Sequence, residues 1–309
     1  MTPLGVWSLY RPVSRGNPRL AASPGRGSGK LLTSSGEDVT AVAFLPNHVG
    51  KQTKEILSTA ASAGASLAGV ADLKLLKGLP TYGGLSLDDF RYAVSVAVAL
   101  PSCAIEAITV EDPGMLYAHA YRTANLALDL ITLRVAGGIS GNGYLALAVP
   151  ASMRVDQKRH LGHISHKPFA WAAGLGWIGR NGLLINPTYG SRIRLATVLT
   201  DMTLKPGKPI DNRCGECKLC VVTCPSKALK YSKFEVRPSS RKEIFDAGKC
   251  YERLVKNEEL LAQKHHMVEH AATVCGMCIK VCPFGKVHPK RVLLIRRNNH
   301  YRSLRLLPR

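Results

Sequence analysis

Long apolar runs are missing from this 309-residue sequence. A membrane-spanning helix needs about twenty consecutive apolar residues, and the longest run here, around Tyr92–Pro101, is the size of a strand. Residues 1–36 also lack the charged-then-apolar layout of a secretory signal. A cytoplasmic protein with no membrane partner is therefore expected. Acid is scarce: 21 Asp and Glu stand against 42 Lys and Arg, a formal charge of +21. The shortage is greatest at the ends. Residues 1–36 carry five basic residues and residues 286–309 carry eight, with no acid in either stretch, so the ends supply thirteen of the +21. Such ends suit an anionic partner or simply solubilise the chain.

Cysteine is nearly absent from the first two thirds of the chain, where only Cys103 occurs. The other eight fall between Cys214 and Cys282. A disulfide framework would spread more widely, so metal is the better reading. Cys214-x-x-Cys217-x-x-Cys220-x-x-x-Cys224-Pro225 has the bacterial ferredoxin spacing. Two-residue gaps let a short loop wrap one iron–sulfur cubane, and the fourth thiolate, turned away by the longer gap and the proline, reaches a second cluster. Cys275-x-x-Cys278-x-x-x-Cys282-Pro283 is a shortened version, and Cys250 upstream can supply the missing ligand. The crossover rule then assigns Cys214, Cys217, Cys220 and Cys282 to one [4Fe–4S] cluster and Cys224, Cys250, Cys275 and Cys278 to the other. Two zinc sites of four thiolates remain the alternative on residue type alone. Cys103 is left over and is expected to be a buried structural thiol.

The remainder divides by composition. Residues 1–36, rich in Pro, Gly, Ser and Arg, read as a disordered basic extension. Residues 37–205 read as α/β, residues 206–285 as the cysteine-rich α+β module, and residues 286–309 as a basic tail. Within the α/β part, helices are expected at Val49–Gly64, from about Gly114 to Val135, and from a Ser165 cap through Ala173. The middle helix should start at Asp112-Pro113 and stop at Gly137-Gly138. Strands are expected at Leu67–Asp72, Tyr92–Leu100, Tyr144–Val149, Gly182–Asn186 and Arg192–Thr200, the last two joined by a hairpin turn at Pro187–Gly190. Tyr117, His119, Tyr121 and Asn125 sit on the middle helix and read as packing or solvent-facing positions rather than as a site. Gly174-Leu175-Gly176-Trp177-Ile178-Gly179 matches G-x-G-x-x-G, with Asp201 downstream. A dinucleotide site needs a strand before the glycines and a helix after them, and here that order is reversed.

Ala173-Gly174-Leu175-Gly176-Trp177-Ile178-Gly179-Arg180, then Leu184-Ile185-Asn186-Pro187, then the complete cysteine run, the lone cysteine and the shortened run, together resemble the epoxyqueuosine reductase family. Reductive dehalogenases are distant relatives of that family. The resemblance implies a cobalamin-reductase-like α/β domain followed by a double-[4Fe–4S] ferredoxin-like module. It also implies a cobalamin between the two, with Gly174, Gly176, Trp177 and Gly179 on the corrinoid side, and a tRNA nucleoside as the family's substrate. The family's acidic proton donor has its nearest counterpart in Asp156, four residues farther upstream of the glycine motif than the pattern requires. His160, His163 and His166 crowd the same stretch. His160 is the alternative donor, and the plainer reading of each histidine is a surface residue. The helical repeats of longer members have no room after Cys282, so a shorter branch of the family is expected.

These readings converge on an iron–sulfur oxidoreductase fed by ferredoxin or flavodoxin. Two rival functions remain, an electron-transfer protein without its own catalytic site and a tRNA-binding protein with structural clusters. Both basic ends are candidate tRNA contacts.

Overall fold

The computed structural model describes residues 46–265 and 274–286, which fall within one compact unit. The basic extension at 1–36 and nearly all of the tail at 286–309 lie outside the described residues. No helix among the described residues is long and apolar enough to cross a membrane.

The chain runs α1 (Pro46–Ser62), β1 (Leu67–Asp72), β2 (Tyr92–Ala99), α2 (Ser102–Glu106), α3 (Met115–Gly141), β3 (Ala146–Val149), α4 (His166–Ala172), β4 (Trp177–Ile178), β5 (Leu184–Ile185) and β6 (Ile193–Thr200). The cysteine-rich part adds α5 (Leu219–Val222), α6 (Arg241–Ile244), α7 (Ala247–His265) and α8 (Met277–Lys280). A four-stranded sheet has the order β1-β2-β6-β3, every neighbouring pair antiparallel, with Val94 opposite Val70 on one side and Val198 on the other.

Helices cover both faces of this sheet, which explains the unbroken apolar run in β2. Val94, Val96 and Val198 face α1 and α3, where Ile56, Leu128, Ile131, Val135 and Ile139 complete the layer. Ala93, Ala97, Leu195 and Leu199 face α4, packing on Phe169 and Trp171. Each of these larger side chains stabilises the fold by about 1.5–3 kcal/mol through burial. Small residues on the α4 side permit close approach: a Cβ at Gly69 would meet the Ala173 carbonyl oxygen at 2.8 Å.

Two expectations need correction. The middle helix does not stop at Gly137-Gly138 but continues to Gly141. Each interior glycine costs about 1 kcal/mol, and the burial of Val135, Ala136 and Ile139 against the sheet outweighs that cost. Asp112 does not cap the helix either; Gly114 occupies the cap, and Asp112 Oδ1 accepts the Gly114 N–H at 2.7 Å in the turn before it. The second correction concerns the Pro187–Gly190 turn. It is closed by two Asn186–Gly190 backbone hydrogen bonds of 2.9 and 2.8 Å, but the segments it joins do not pair. β5 pairs with β4 in a separate two-stranded sheet, and β6 enters the main sheet.

Cys103 is exposed on α2 rather than buried, because Ala104 and Ile105 form the inward face of that short helix.

Candidate metal centre

Cys214 and Cys217 lie on the loop entering α5, Cys220 lies within that helix and Cys224 follows it. Asn212 Oδ1 accepts the Cys214 N–H at 2.8 Å and the Cys214 carbonyl accepts the Cys217 N–H at 3.1 Å, coiling the loop on itself. Cys282, just past α8, is buried beside Cys214, Trp177 and Ile185. Burial pushes the Cys220 thiol up to about 12, and the neighbouring Cys214, Cys217 and Cys282 add to it. Burial raises Cys282 as well; the Phe284 N–H opposes the rise, while Cys214 and Cys217 add to it.

The other four thiols respond to one another in the same way. Burial pushes Cys250, in α7, up to about 11, with Cys275 and Cys224 adding and Arg241 and Lys167 opposing. Cys278 in α8 is raised well above the ordinary thiol value by burial, then by Cys275, Cys250, Cys220 and Cys224. Cys224 differs. Burial would raise it, but Ser226 Oγ and the N–H groups of Leu229, Ala228 and Ser226 outweigh burial and leave it below the usual thiol range. Cys214 and Cys217 thus act on both Cys220 and Cys282, Cys224 acts on Cys250, Cys275 and Cys278, and Cys220 also acts on Cys278.

The raised thiols of Cys220, Cys250, Cys275, Cys278 and Cys282 ionise when a metal supplies compensating positive charge, and an all-cysteine donor set fits iron. Among the described residues no three His, Cys, Asp or Glu side chains gather as a single-ion site. A lone zinc would draw four thiolates to about 2.3 Å from one point, whereas a cubane's corners hold its thiolates apart.

The glycine motif is folded into this centre. α4 precedes it, β4 lies within it and β5 follows it. Cβ atoms at Gly174 and Gly176 would collide with the carbonyl oxygens of Lys208 and Ile185, and one at Gly179 with the Ile185 side chain. These glycines therefore serve close packing within the chain on the side a Cβ would occupy. Trp177 is fully buried against Cys282 and Cys214, edge-on to Phe284 at 4.8 Å. The next two residues clamp both cysteine loops. Buried Arg180 donates to the Cys217 carbonyl at 2.9 Å and the Ser232 carbonyl at 3.0 Å. Buried Asn181 donates to the Cys278 carbonyl at 3.3 Å. Sequence reasoning gave these two residues no role; the only signal was their position at the end of the glycine motif.

A second neighbourhood forms where the second quartet meets the α/β domain. Lys167 of α4 is half-buried and donates to the Gly182 carbonyl at 2.7 Å. Burial lowers its amine to about 8, helped by Arg241 and Arg194 and opposed by Cys250 and Cys278. Arg194 of β6 stands 4.2 Å over the Tyr121 ring and donates to Asn125 Oδ1 at 3.0 Å. Burial would raise Tyr121, but the Arg194 and Arg154 charges and hydrogen bonds with Ser152 and Asn125 hold it below the usual phenol value. Burial raises Tyr117, against Arg194 and with Cys278 and Cys275 adding. Tyr117 packs as the sequence suggests, and Tyr121 and Asn125, expected only to pack or face solvent, meet Arg194 at this junction. His119 only meets Thr123, on the exposed side. Lys167, Arg194 and Arg241 were missed because nothing local in the sequence marks a cation that tertiary folding brings to a thiol.

The candidate proton donors have separate fates. Asp156 holds Arg159 twice, through the backbone N–H at 2.8 Å and Nε at 2.6 Å, and these bonds lower its pKa. A carboxylate kept ionised in this way shapes its turn and is a poor acid at neutral pH. His160 adopts a left-handed φ of 54° and stacks 3.7 Å from Tyr251, the residue after Cys250, with Nδ1 buried and unpartnered. Burial lowers its pKa, followed by Arg154 and Arg241. His163 Nδ1 donates to the Tyr82 carbonyl at 3.1 Å.

His166 is half-buried, donating from Nε2 to the Pro150 carbonyl at 3.0 Å and accepting at Nδ1 from Thr197 at 2.9 Å, an arrangement that uses the neutral ring. Burial lowers it to about 4. The unfolded state therefore binds this proton more readily than the folded state, and stability is lost as pH falls from about 6.5 toward about 4. Unfolding by urea at about pH 7 and pH 5 should show a loss of about 2 kcal/mol from this residue. His166→Gln should lessen that loss.

Fold and thiol arrangement together define a class, a mixed α/β domain followed by an iron–sulfur module. Residues 213–285 match the family model of the 4Fe-4S double cluster binding domain. The epoxyqueuosine reductase of Gloeobacter violaceus is 36% identical over 127 residues, 40% of this chain and 37% of that protein. That of Listeria monocytogenes is 32% identical over 137 residues, 44% of this chain and 34% of that protein. The chain is linked at the level of family to the epoxyqueuosine reductases, and it spans little more than a third of the length of these two curated relatives. The catabolic reductive dehalogenase NpRdhA, solved with 3-bromo-4-hydroxybenzoic acid, shares the fold with a TM-score of 0.58 at 20% identity, over 77% of this chain and 32% of that one.

Proposed function

We propose that this protein is an oxidoreductase resembling epoxyqueuosine reductase, in which single electrons pass through two [4Fe–4S] clusters to an acceptor at the junction with the α/β domain. The carrying observation is that Cys282 adjoins Cys214 and Cys217 of the first run, while Cys224 acts on Cys250, Cys275 and Cys278 of the second group. Cys214, Cys217, Cys220 and Cys282 would hold one cluster, and Cys224, Cys250, Cys275 and Cys278 the other. Bound there, such clusters supply electrons one at a time at low potential.

The chain's own residues set the direction. The first quartet lies beside exposed α5, where an external donor such as ferredoxin or flavodoxin can reach it. The second faces Lys167, Tyr121 and His160, so reduction would finish beside groups that carry protons. His160, stacked against Tyr251, is the better proton carrier of the two candidates, and Asp156 holds the turn that places it. The corrinoid of the family belongs, in this proposal, on the second-quartet side, where it would supply low-potential nucleophilic chemistry when bound. A tRNA nucleoside substrate rests on the family link alone.

Anaerobically purified and reconstituted protein should contain about eight iron per chain and absorb broadly near 400 nm. Two zinc ions in their place would end this reading. Titration of the iron-loaded protein with cobalamin separates an enzyme of this kind, which retains it, from a carrier of electrons alone, which does not.

A further inference from the structure

We infer that the exposed face of α5 is a docking surface for an acidic one-electron carrier protein; this rests on the iron–sulfur reading above. Leu219 and Val222 lie three residues apart on one helix face and are 47% and 71% exposed. Apolar side chains this exposed, set between Cys217, Cys220 and Cys224, are in the wrong place for stability and the right place for a partner. Tyr231 extends the patch at 39% exposure. Lys218 stands 4.7 Å over the Tyr231 ring. The nearby Glu216 carboxylate is engaged by Lys233 at 2.9 Å and by the Tyr231 hydroxyl at 2.9 Å, which neutralises the acid at this rim. Residues 206–249 as a whole carry ten Lys and Arg against five Asp and Glu.

An apolar centre with a cationic rim fits a protein whose own face is apolar with an acidic rim. Nucleic acid fits less well, because phosphates reward cations at the centre of contact and gain nothing from exposed aliphatic side chains. Position fixes the kind of partner. Cys217 and Cys220 flank Leu219, so anything seated on this face comes as close to the first quartet as the surface allows. The encounter oxidises the carrier by one electron and reduces the iron–sulfur module by one, with no bond made or broken and no proton moved.

The test mixes the iron-loaded full chain anaerobically with a reduced, acidic plant-type [2Fe–2S] ferredoxin, quenches by rapid freezing, and follows the loss of the reduced [2Fe–2S] signal by paramagnetic resonance. The second-order rate should fall as salt is raised. Val222→Glu and Lys233→Glu should each slow it about tenfold, while reduction by dithionite, which needs no docking, proceeds as in the parent. Both positions are exposed, and iron content checks that each variant is loaded. Parental rates with ferredoxin in both variants would overturn the docking surface. So would variants that weaken tRNA binding but leave the ferredoxin rate alone, since the face would then belong to RNA. A parent chain that takes up no iron would overturn the proposed function itself, which keeps the two failures apart.

Discussion

Cys278→Ser should reduce the iron content from about eight to about four per chain and remove about half of the absorbance near 400 nm. The side chain is buried, and its thiol is raised by burial and by four neighbouring thiols. Such a group becomes a thiolate only through bonding to iron. A serine hydroxyl at the same place is a far weaker ligand, and it leaves a polar group in an apolar layer of Ile105, Ile108 and Met277. Cys103→Ser, at an exposed position away from both groups, should leave iron and colour unchanged. Exchange of ligands between the two runs makes the result more specific. Loss at Cys282 should remove the cluster held by the first run, and loss at Cys224 the cluster held with Cys250, Cys275 and Cys278. Paramagnetic resonance of the dithionite-reduced variants reads which signal disappears. Unchanged iron in Cys278→Ser would sink the assignment.

Arg180→Met should cost about 2–5 kcal/mol of stability and loosen iron at the first quartet selectively. The guanidinium is 4% exposed and spans two segments of the cysteine module, donating to Cys217 and Ser232 carbonyls. Its face also lies 4.8 Å over the Tyr231 ring. Methionine fills similar volume but leaves both carbonyls unpaired, each at about 1–3 kcal/mol. Urea unfolding measures the loss of stability. Iron release to a chelator, followed at 400 nm, should be biphasic in the variant, with the fast phase carrying about half the amplitude. A single phase at the parental rate would show that Arg180 does not hold the loop.

Strand and helix positions were largely legible in the sequence. β1 runs over the expected residues, and β2, β6, α1 and α4 agree to within a few residues, because burial on two faces leaves continuous apolar runs and local turn residues bound them. The exceptions share a cause. Gly137-Gly138 reads as a stop, yet the sheet underneath gives Ile139 enough burial to carry the helix past it. Pro187–Gly190 reads as a hairpin, and the turn is there, but which strands pair depends on partners distant in sequence. Cys103 and His166 both depart from expectation: the thiol is exposed, and the histidine is half-buried with both ring nitrogens engaged. Residue type sets only an average tendency to be inside, and each helix face decides the individual case.

Of the candidate centre, the sequence by itself determined the thiol inventory and its spacing, because a cubane is wrapped by a loop whose geometry depends on gaps of two and three residues. It also determined that the cysteine-rich module follows an α/β domain. Only the tertiary structure decided what the glycine motif is for, that Arg180 and Asn181 hold the cysteine loops, and that Lys167, Arg194 and Tyr121 gather beside Cys250 and Cys278. Those relations join residues tens of positions apart. They arise from packing two chain segments against each other, and no periodicity or local spacing records them.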